Sequence, residues 1–228
     1  MTARSKAFLV ATLLAAPFGT GAAQAHQIWL ERDGSTVRAY FGEPIDNLRE
    51  RSGGLLDRIT NARIFADEPS QALPVQRQAD HLQAVLSPGQ GDVRMVDESF
   101  APYGDSPDQR TKPVMLAREG RTELRNLLDL ELVPTEAGGN TFTVLLRGKP
   151  LPRTEVTLVA PPRWERRLHT DAEGQVTFAT PWAGRYVAEV IHIEDHAGGT
   201  GDEAYAKRRL VSTLSFVAAE GLPWSDSR

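Results

Sequence analysis

From Thr141 to Arg147 the chain alternates: Phe142, Val144 and Leu146 fall on one face, with Thr141, Thr143 and Arg147 on the other. That period of two predicts a β-strand with one face buried. The pattern then recurs. Gly148-Lys149-Pro150 turns the chain, and Val156, Leu158 and Ala160 alternate with Glu155 and Thr157. Thr170-Asp171-Ala172-Glu173-Gly174 predicts a second turn, into Val176 and Phe178. Pro181-Trp182-Ala183-Gly184 predicts a third, into a strand over Tyr186 to Glu194, and a last strand carries Leu210, Leu214 and Phe216 on one face. Short strands punctuated by Gly, Pro and Asp predict an antiparallel sandwich.

The first half is less regular. Gln27 to Glu31 reads as a short strand, and Thr36 to Gly42 follows the hairpin turn Asp33-Gly34. Asp46 to Arg58, with Gly53-Gly54, reads as a polar loop holding one helical turn. Asn61 to Ala66 and Leu82 to Leu86 are strand candidates, and Val93 to Val96 and Val114 to Ala117 are weaker ones. Ala101 to Pro113, with its prolines, Gly104 and aspartates, reads as a loop. No stretch sustains a period of 3.6. The expected fold is all-β, two packed β-sandwich domains, the second transthyretin-like or Ig-like. The expected organisation is 1–25 as a signal peptide, 26–121 as an N-terminal β domain and 122–228 as the C-terminal sandwich.

Before Gln27 the pattern changes character. Arg4 and Lys6 precede an apolar run from Ala7 to Ala16, then Pro17, Gly19 and small residues ending in Ala23-Gln24-Ala25. A basic start, an apolar run of about ten residues and an Ala-x-Ala site form a secretory signal, too short to span a bilayer. Cleavage after Ala25 leaves 203 of the 228 residues, beginning at His26, and predicts a periplasmic location. No membrane span is expected in the cleaved chain.

Composition narrows the chemistry. The chain is 40% hydrophobic and 25% charged, and its 19 Gly and 15 Pro are ordinary for a globular protein. Past residue 25, 24 of the 26 basic residues face 30 acidic ones, a balance that argues against a nucleic-acid binder. With no cysteine there can be no disulfide, no thiolate metal site and no thiol nucleophile. No Gly-x-Ser-x-Gly and no ordered triad stands out, so no catalytic residue is assigned and an enzyme is not expected.

Histidine carries the remaining chemistry. As a first residue, His26 offers a deprotonated α-amine and an imidazole from one position, nitrogen donors suited to copper or nickel; the plain alternative is an exposed terminal residue. His192 and Glu194, two apart on a predicted strand, project to one face about 6.5–7 Å apart. They either share a metal or form a core-edge histidine with its hydrogen-bond partner. His196 sits before Gly198-Gly199-Thr200-Gly201, a loop that either closes over a site or is solvated, the second reading being favoured. That glycine cluster lacks the strand-to-helix context of a phosphate loop. His81 and His169 read as surface residues. Glu43 and Asp46 are too ordinary a pair of acids to single out. Arg163, Arg166 and Arg167 around Trp164 read as a strand edge protected by charge.

Gly148-Lys149-Pro150-Leu151, Val156, Thr170-Asp171, Gly174 and Gly184-x-Tyr186 resemble a transthyretin-like or carboxypeptidase-regulatory-like sandwich. His26-x-x-Trp29-Leu30, Leu130-Glu131-Leu132-Val133-Pro134 and His192-x-Glu194, followed by Thr213-Leu214-x-Phe216, sharpen the likeness. Together they resemble the periplasmic NikM-like family, described as a periplasmic component of cobalt/nickel transport and otherwise as a domain of unknown function. The resemblance spans the chain after residue 25, most clearly from Leu130 onward. It implies a protein that takes up or handles a divalent transition metal ion (nickel, cobalt or copper), with a membrane transporter component as partner. The metal ligands expected are His26, His192 and Glu194. Two alternatives stand beside it: a copper-dependent redox enzyme with an N-terminal histidine site, and a binding or scaffold module in which no metal takes part.

Overall fold

The computed structural model describes residues 26–224. The expected signal peptide, 1–25, lies outside the described residues. The first six strands are β1 (Gln27–Asp33), β2 (Thr36–Glu43), β3 (Leu48–Arg49), β4 (Arg63–Phe65), β5 (Gln76–Arg77) and β6 (Leu82–Val85). Five follow: β7 (Val93–Asp97), β8 (Thr111–Glu119), β9 (Leu130–Pro134), β10 (Thr141–Leu146) and β11 (Lys149–Pro150). The last five are β12 (Glu155–Val159), β13 (Glu165–His169), β14 (Gln175–Thr177), β15 (Gly184–Gly198) and β16 (Tyr205–Ala218). The only helical turns among the described residues are short 3-10 pieces at Pro44–Asp46, Leu55–Arg58 and Gly201–Glu203. No helix there is long and apolar enough to cross a membrane.

The all-β sandwich expectation holds, built as three layers. A central seven-stranded sheet runs β13-β12-β15-β16-β8-β7-β4. On one side lies β1-β2-β6-β5 with β3 beside β2; on the other lies β11-β10-β14 with β9 beside β10. Strand alternation divides the central sheet between two cores. Tyr186, Ala188 and Val190 of β15 and Leu210, Leu214 and Phe216 of β16 pack with Phe142, Val144 and Leu132. Val211, Met115, Ala117 and Met95 face the other way, against Ile28, Leu30, Val37 and Phe41. Because both faces are covered, β8 is almost continuously buried and shows no polar alternation. It pairs in parallel with β16. The central sheet therefore takes strands from both sides of Thr122, which lies in the connection between β8 and β9.

Small polar side chains let β1 lie close over β16. Thr213 Oγ1 donates to the Ile28 carbonyl at 2.6 Å, and Ser215 Oγ donates to that of Leu30. β15 and β16 are longer than the alternation indicates. Their ladder is irregular between Asp195 and Gly198, which breaks the period of two while the strands continue, so the gap expected between Glu194 and Leu210 shrinks to residues 199–204. β13 is an edge strand of the central sheet and carries Arg166 and Arg167, as the charge cluster predicts.

One carboxyl group in this framework predicts a pH effect. Glu189 sits on β15 between Thr157 and Thr213, and its Oε2 is enclosed without a hydrogen-bond partner. Burial pushes its carboxyl up to about 7, with Arg209 pulling back and Glu165 adding to the rise. The folded state then binds a proton that the unfolded state, titrating at 4.5, releases. Stability from this group is full below 4.5 and is lost as pH rises through about 7, a difference of about 3 kcal/mol. Thermal unfolding at pH 5 and pH 8 should show that loss in the wild type and a much smaller one in Glu189→Gln.

Candidate functional site

The site begins where β2 ends. Gly42 holds φ +147, and a Cβ there would lie 2.2 Å from the Leu48 carbonyl oxygen, so only glycine lets the chain fold back so closely. Pro44–Asp46 makes a 3-10 turn, which Asn47 closes in the left-handed region with its N–H on the Pro44 carbonyl. β3 then pairs beside β2, and the Glu50 N–H donates to the Phe41 carbonyl at 2.8 Å. This return sets Glu43 and Glu50 side by side at the start of β1, where His26 lies.

The His26 ring is held from several sides. It tilts against Phe41 with centroids 5.2 Å apart, and Phe41 in turn packs on Phe100. Nε2 lies 2.6 Å from Glu50 Oε1, and Nδ1 lies 3.4 Å from Glu43 Oε1. An ionised carboxylate only accepts hydrogen bonds, so the short contact has Nε2–H donating to Glu50. In the neutral imidazole this leaves the Nδ1 lone pair facing a second carboxylate oxygen, an arrangement that a cation between them relieves. The histidine side chain remains 25% exposed, so the site is open to solvent.

His192 and Glu194 do share a face of β15, as their spacing predicts. That face turns toward the four-stranded sheet, whereas β1 docks on the opposite one through Thr213 and Ser215. Register therefore places His26 and His192 on opposite sides of the central sheet. Glu194 accepts from Arg147 at 2.9 and 2.6 Å. That paired guanidinium, helped by Arg208 and His192, holds its carboxyl below the usual range. Its oxygens are committed to an ion pair.

The other histidines separate cleanly. His196 is exposed on β15 with its ring stacked on Tyr205 at 6.4 Å. His169 is exposed on the edge strand, with Glu155 at 3.9 Å. His81 differs from its expected surface setting: it packs against Tyr40 and its Nδ1 bonds Asp80 at 2.7 Å. Among the described residues, no three His, Asp or Glu side chains form a ready metal cluster. The two residues the sequence passed over are Glu43 and Glu50. Gly42-Glu43-Pro44 was their one visible signal, a glycine and a proline bracketing an acid at a strand end.

A second group of polar residues is built around the buried Asp92, Arg94, Arg118 and Glu131. Arg94 of β7 and Arg118 of β8 both reach Glu131 Oε1, at 3.0 and 2.9 Å. Glu131 Oε2 accepts from Asn126 Nδ2 and from the N–H groups of Leu127 and Leu128. Asp92 takes Arg118 Nη2 at 2.6 Å and the Thr122 hydroxyl at 2.5 Å. Burial alone would raise the Asp92 carboxyl, but Thr122 and Arg118 outweigh it and hold it low. These bonds join the central sheet to β9 and serve the fold.

Fold and site together define an all-β sandwich with a solvent-open histidine–carboxylate cluster at its first strand. Residues 89–194 match the family model of a domain of unknown function, DUF4198. The match takes in the buried arginine–carboxylate group, His192 and Glu194, and stops short of His26, Glu43 and Glu50. No curated protein matches the chain. No solved structure matches it.

Proposed function

We propose that this is a periplasmic metal-binding protein of the NikM-like kind, which takes up or hands on nickel, cobalt or copper through a site built on His26. One observation carries the reading: Glu50 holds Nε2, leaving Nδ1 directed at Glu43. Nδ1 is the nitrogen that closes a six-membered chelate with the α-amine of the same residue. Cleavage after Ala25 would free that amine and supply the donor that the side chains lack. Glu43 then provides an anionic oxygen at 3.4 Å from Nδ1, and Glu50 orients the ring from behind. Two nitrogens and a carboxylate suit nickel, cobalt or copper, with copper(II) held most tightly by intrinsic affinity. A solvent-open rim suits a cargo ion that must be delivered.

The test is a titration of protein exported to the periplasm, with intact mass confirming a chain that starts at His26. Cu(II), Ni(II) and Co(II) should each fill one site per chain. His26→Ala should weaken binding by about 100-fold, and Glu50→Gln, which loosens the ring, by about 10–100-fold. Unchanged affinity in His26→Ala would refute the proposal.

A further inference from the structure

A cleft of about 300 Å³ opens on the other face of β1, between the β2–β3 turn and the start of β15. It is lined by Trp29, Glu31, Arg49, Arg185, Val187 and Trp224. Odd positions of β1 face this cleft and even positions face the β1–β16 core, so the cleft stands apart from His26. Its volume is at the small end of ligand pockets and too large for an inorganic ion alone.

The walls are prearranged. Trp29 stacks on Tyr40 at 5.5 Å, and its indole N–H donates to Glu31 Oε1 at 3.0 Å. Arg49 donates to the same oxygen at 3.0 Å while its guanidinium carbon lies 3.8 Å above the Tyr40 ring. Arg185 approaches Glu31 Oε2 only to 3.7 Å and makes no hydrogen bond within the described residues. Arg185 Nη1 and Arg49 Nε are shut off from water without an acceptor. The rest of each side chain is open, Arg185 25% and Arg49 32% exposed, so an oxyanion entering the cleft can take their outward donors. Arg163 also lines the cleft. Glu119, whose charge also reaches Arg185, is pushed up by burial toward its neutral form.

The rim is apolar and aromatic. Gly221 holds φ +131, where a Cβ would lie 2.7 Å from the Trp182 carbonyl carbon, so the C-terminal segment can lie against residues 181–183. Ala183 N–H and the Leu222 carbonyl join there at 2.9 Å, which brings Trp224, 43% exposed, to the mouth. Trp29 and Val187 form the inner apolar wall.

We infer that this cleft binds a small organic carboxylate with a planar apolar body, its carboxylate on Arg185 and Arg49 and its ring against Trp224 at the mouth. Calorimetry and tryptophan fluorescence on the full protein test it, with indole-3-acetate as probe, indole-3-acetamide as the uncharged match, and acetate as the charge without the ring. Indole-3-acetate should bind and shift the emission, and the amide and acetate should each bind at least about 10-fold more weakly. Arg185→Gln should lose about 10-fold or more of that affinity at unchanged Tm. Ala183→Leu, which fills the cleft without altering charge, should abolish binding. Failure of indole-3-acetate to bind, an amide as tight as the acid, acetate as tight as either, or an Arg185→Gln variant with native affinity would each overturn the inference.

Discussion

Glu131→Leu should lower stability by about 3–5 kcal/mol, read as a fall in Tm on the order of 10 °C. Glu131 is fully buried and accepts five hydrogen bonds: two from Arg94 and Arg118, three from Asn126, Leu127 and Leu128. Leucine fills the space and leaves those donors facing it unpaired, which removes their partner but not their desolvation. Glu131→Gln is the sharper control. Both carboxylate oxygens meet only donors, so whichever way the amide turns, its NH2 group faces another N–H. A large loss is therefore expected from a change that preserves volume and packing. Chemical denaturation of the two variants beside wild type decides it; a loss below about 1 kcal/mol in both would show that the buried group contributes little.

Where one face of a strand is covered and the other wet, the fold was legible from the residues. Phe142, Val144 and Leu146 stood out because Thr141 and Thr143 alternate with them, and β10 runs over those positions. β8 was nearly silent because two sheets sandwich it, so Val114, Met115, Leu116 and Ala117 read as a bare apolar run. The three-layer arrangement was hidden for a related reason. Only a parallel pairing across about a hundred residues joins β8 to β16, and no local pattern encodes such a partner. The candidate site divides in the same way. His26 was visible through its place after Ala25. Glu43 and Glu50 come to it through a tertiary return at Gly42, which sequence spacing does not disclose. His192 and Glu194 were correctly placed on one face, but which face β1 would choose depended on Thr213 and Ser215. Arg147, which occupies Glu194, lies 47 positions away in the chain.

Moving the α-amine away from His26 should weaken Cu(II), Ni(II) and Co(II) binding by on the order of 100-fold while leaving Tm unchanged. The imidazole is positioned by Phe41, Glu43 and Glu50, all downstream, so an added leader does not disturb it. What the leader removes is the second nitrogen of the chelate. In a protein cleaved after Ala25, as proposed, the amine, with the usual α-amino pKa of about 7.7–8.0, would give up its proton near neutral pH and let the imidazole close the ring with little further ordering. A leader of one or two residues would be a poor control. It creates a different chelate, in which a terminal amine, deprotonated backbone amides and the imidazole bind Cu(II) or Ni(II) together. Five residues without histidine put the new amine out of reach, and acetylating the native terminus reaches the same end without lengthening the chain. The two modified proteins should agree with each other and differ from the native one. Affinity should also fall as pH drops below about 8, because protons then compete for the amine, and the two blocked proteins should lack that part of the dependence. Equal affinity in native, extended and acetylated proteins would leave His26 as an ordinary histidine held between two glutamates.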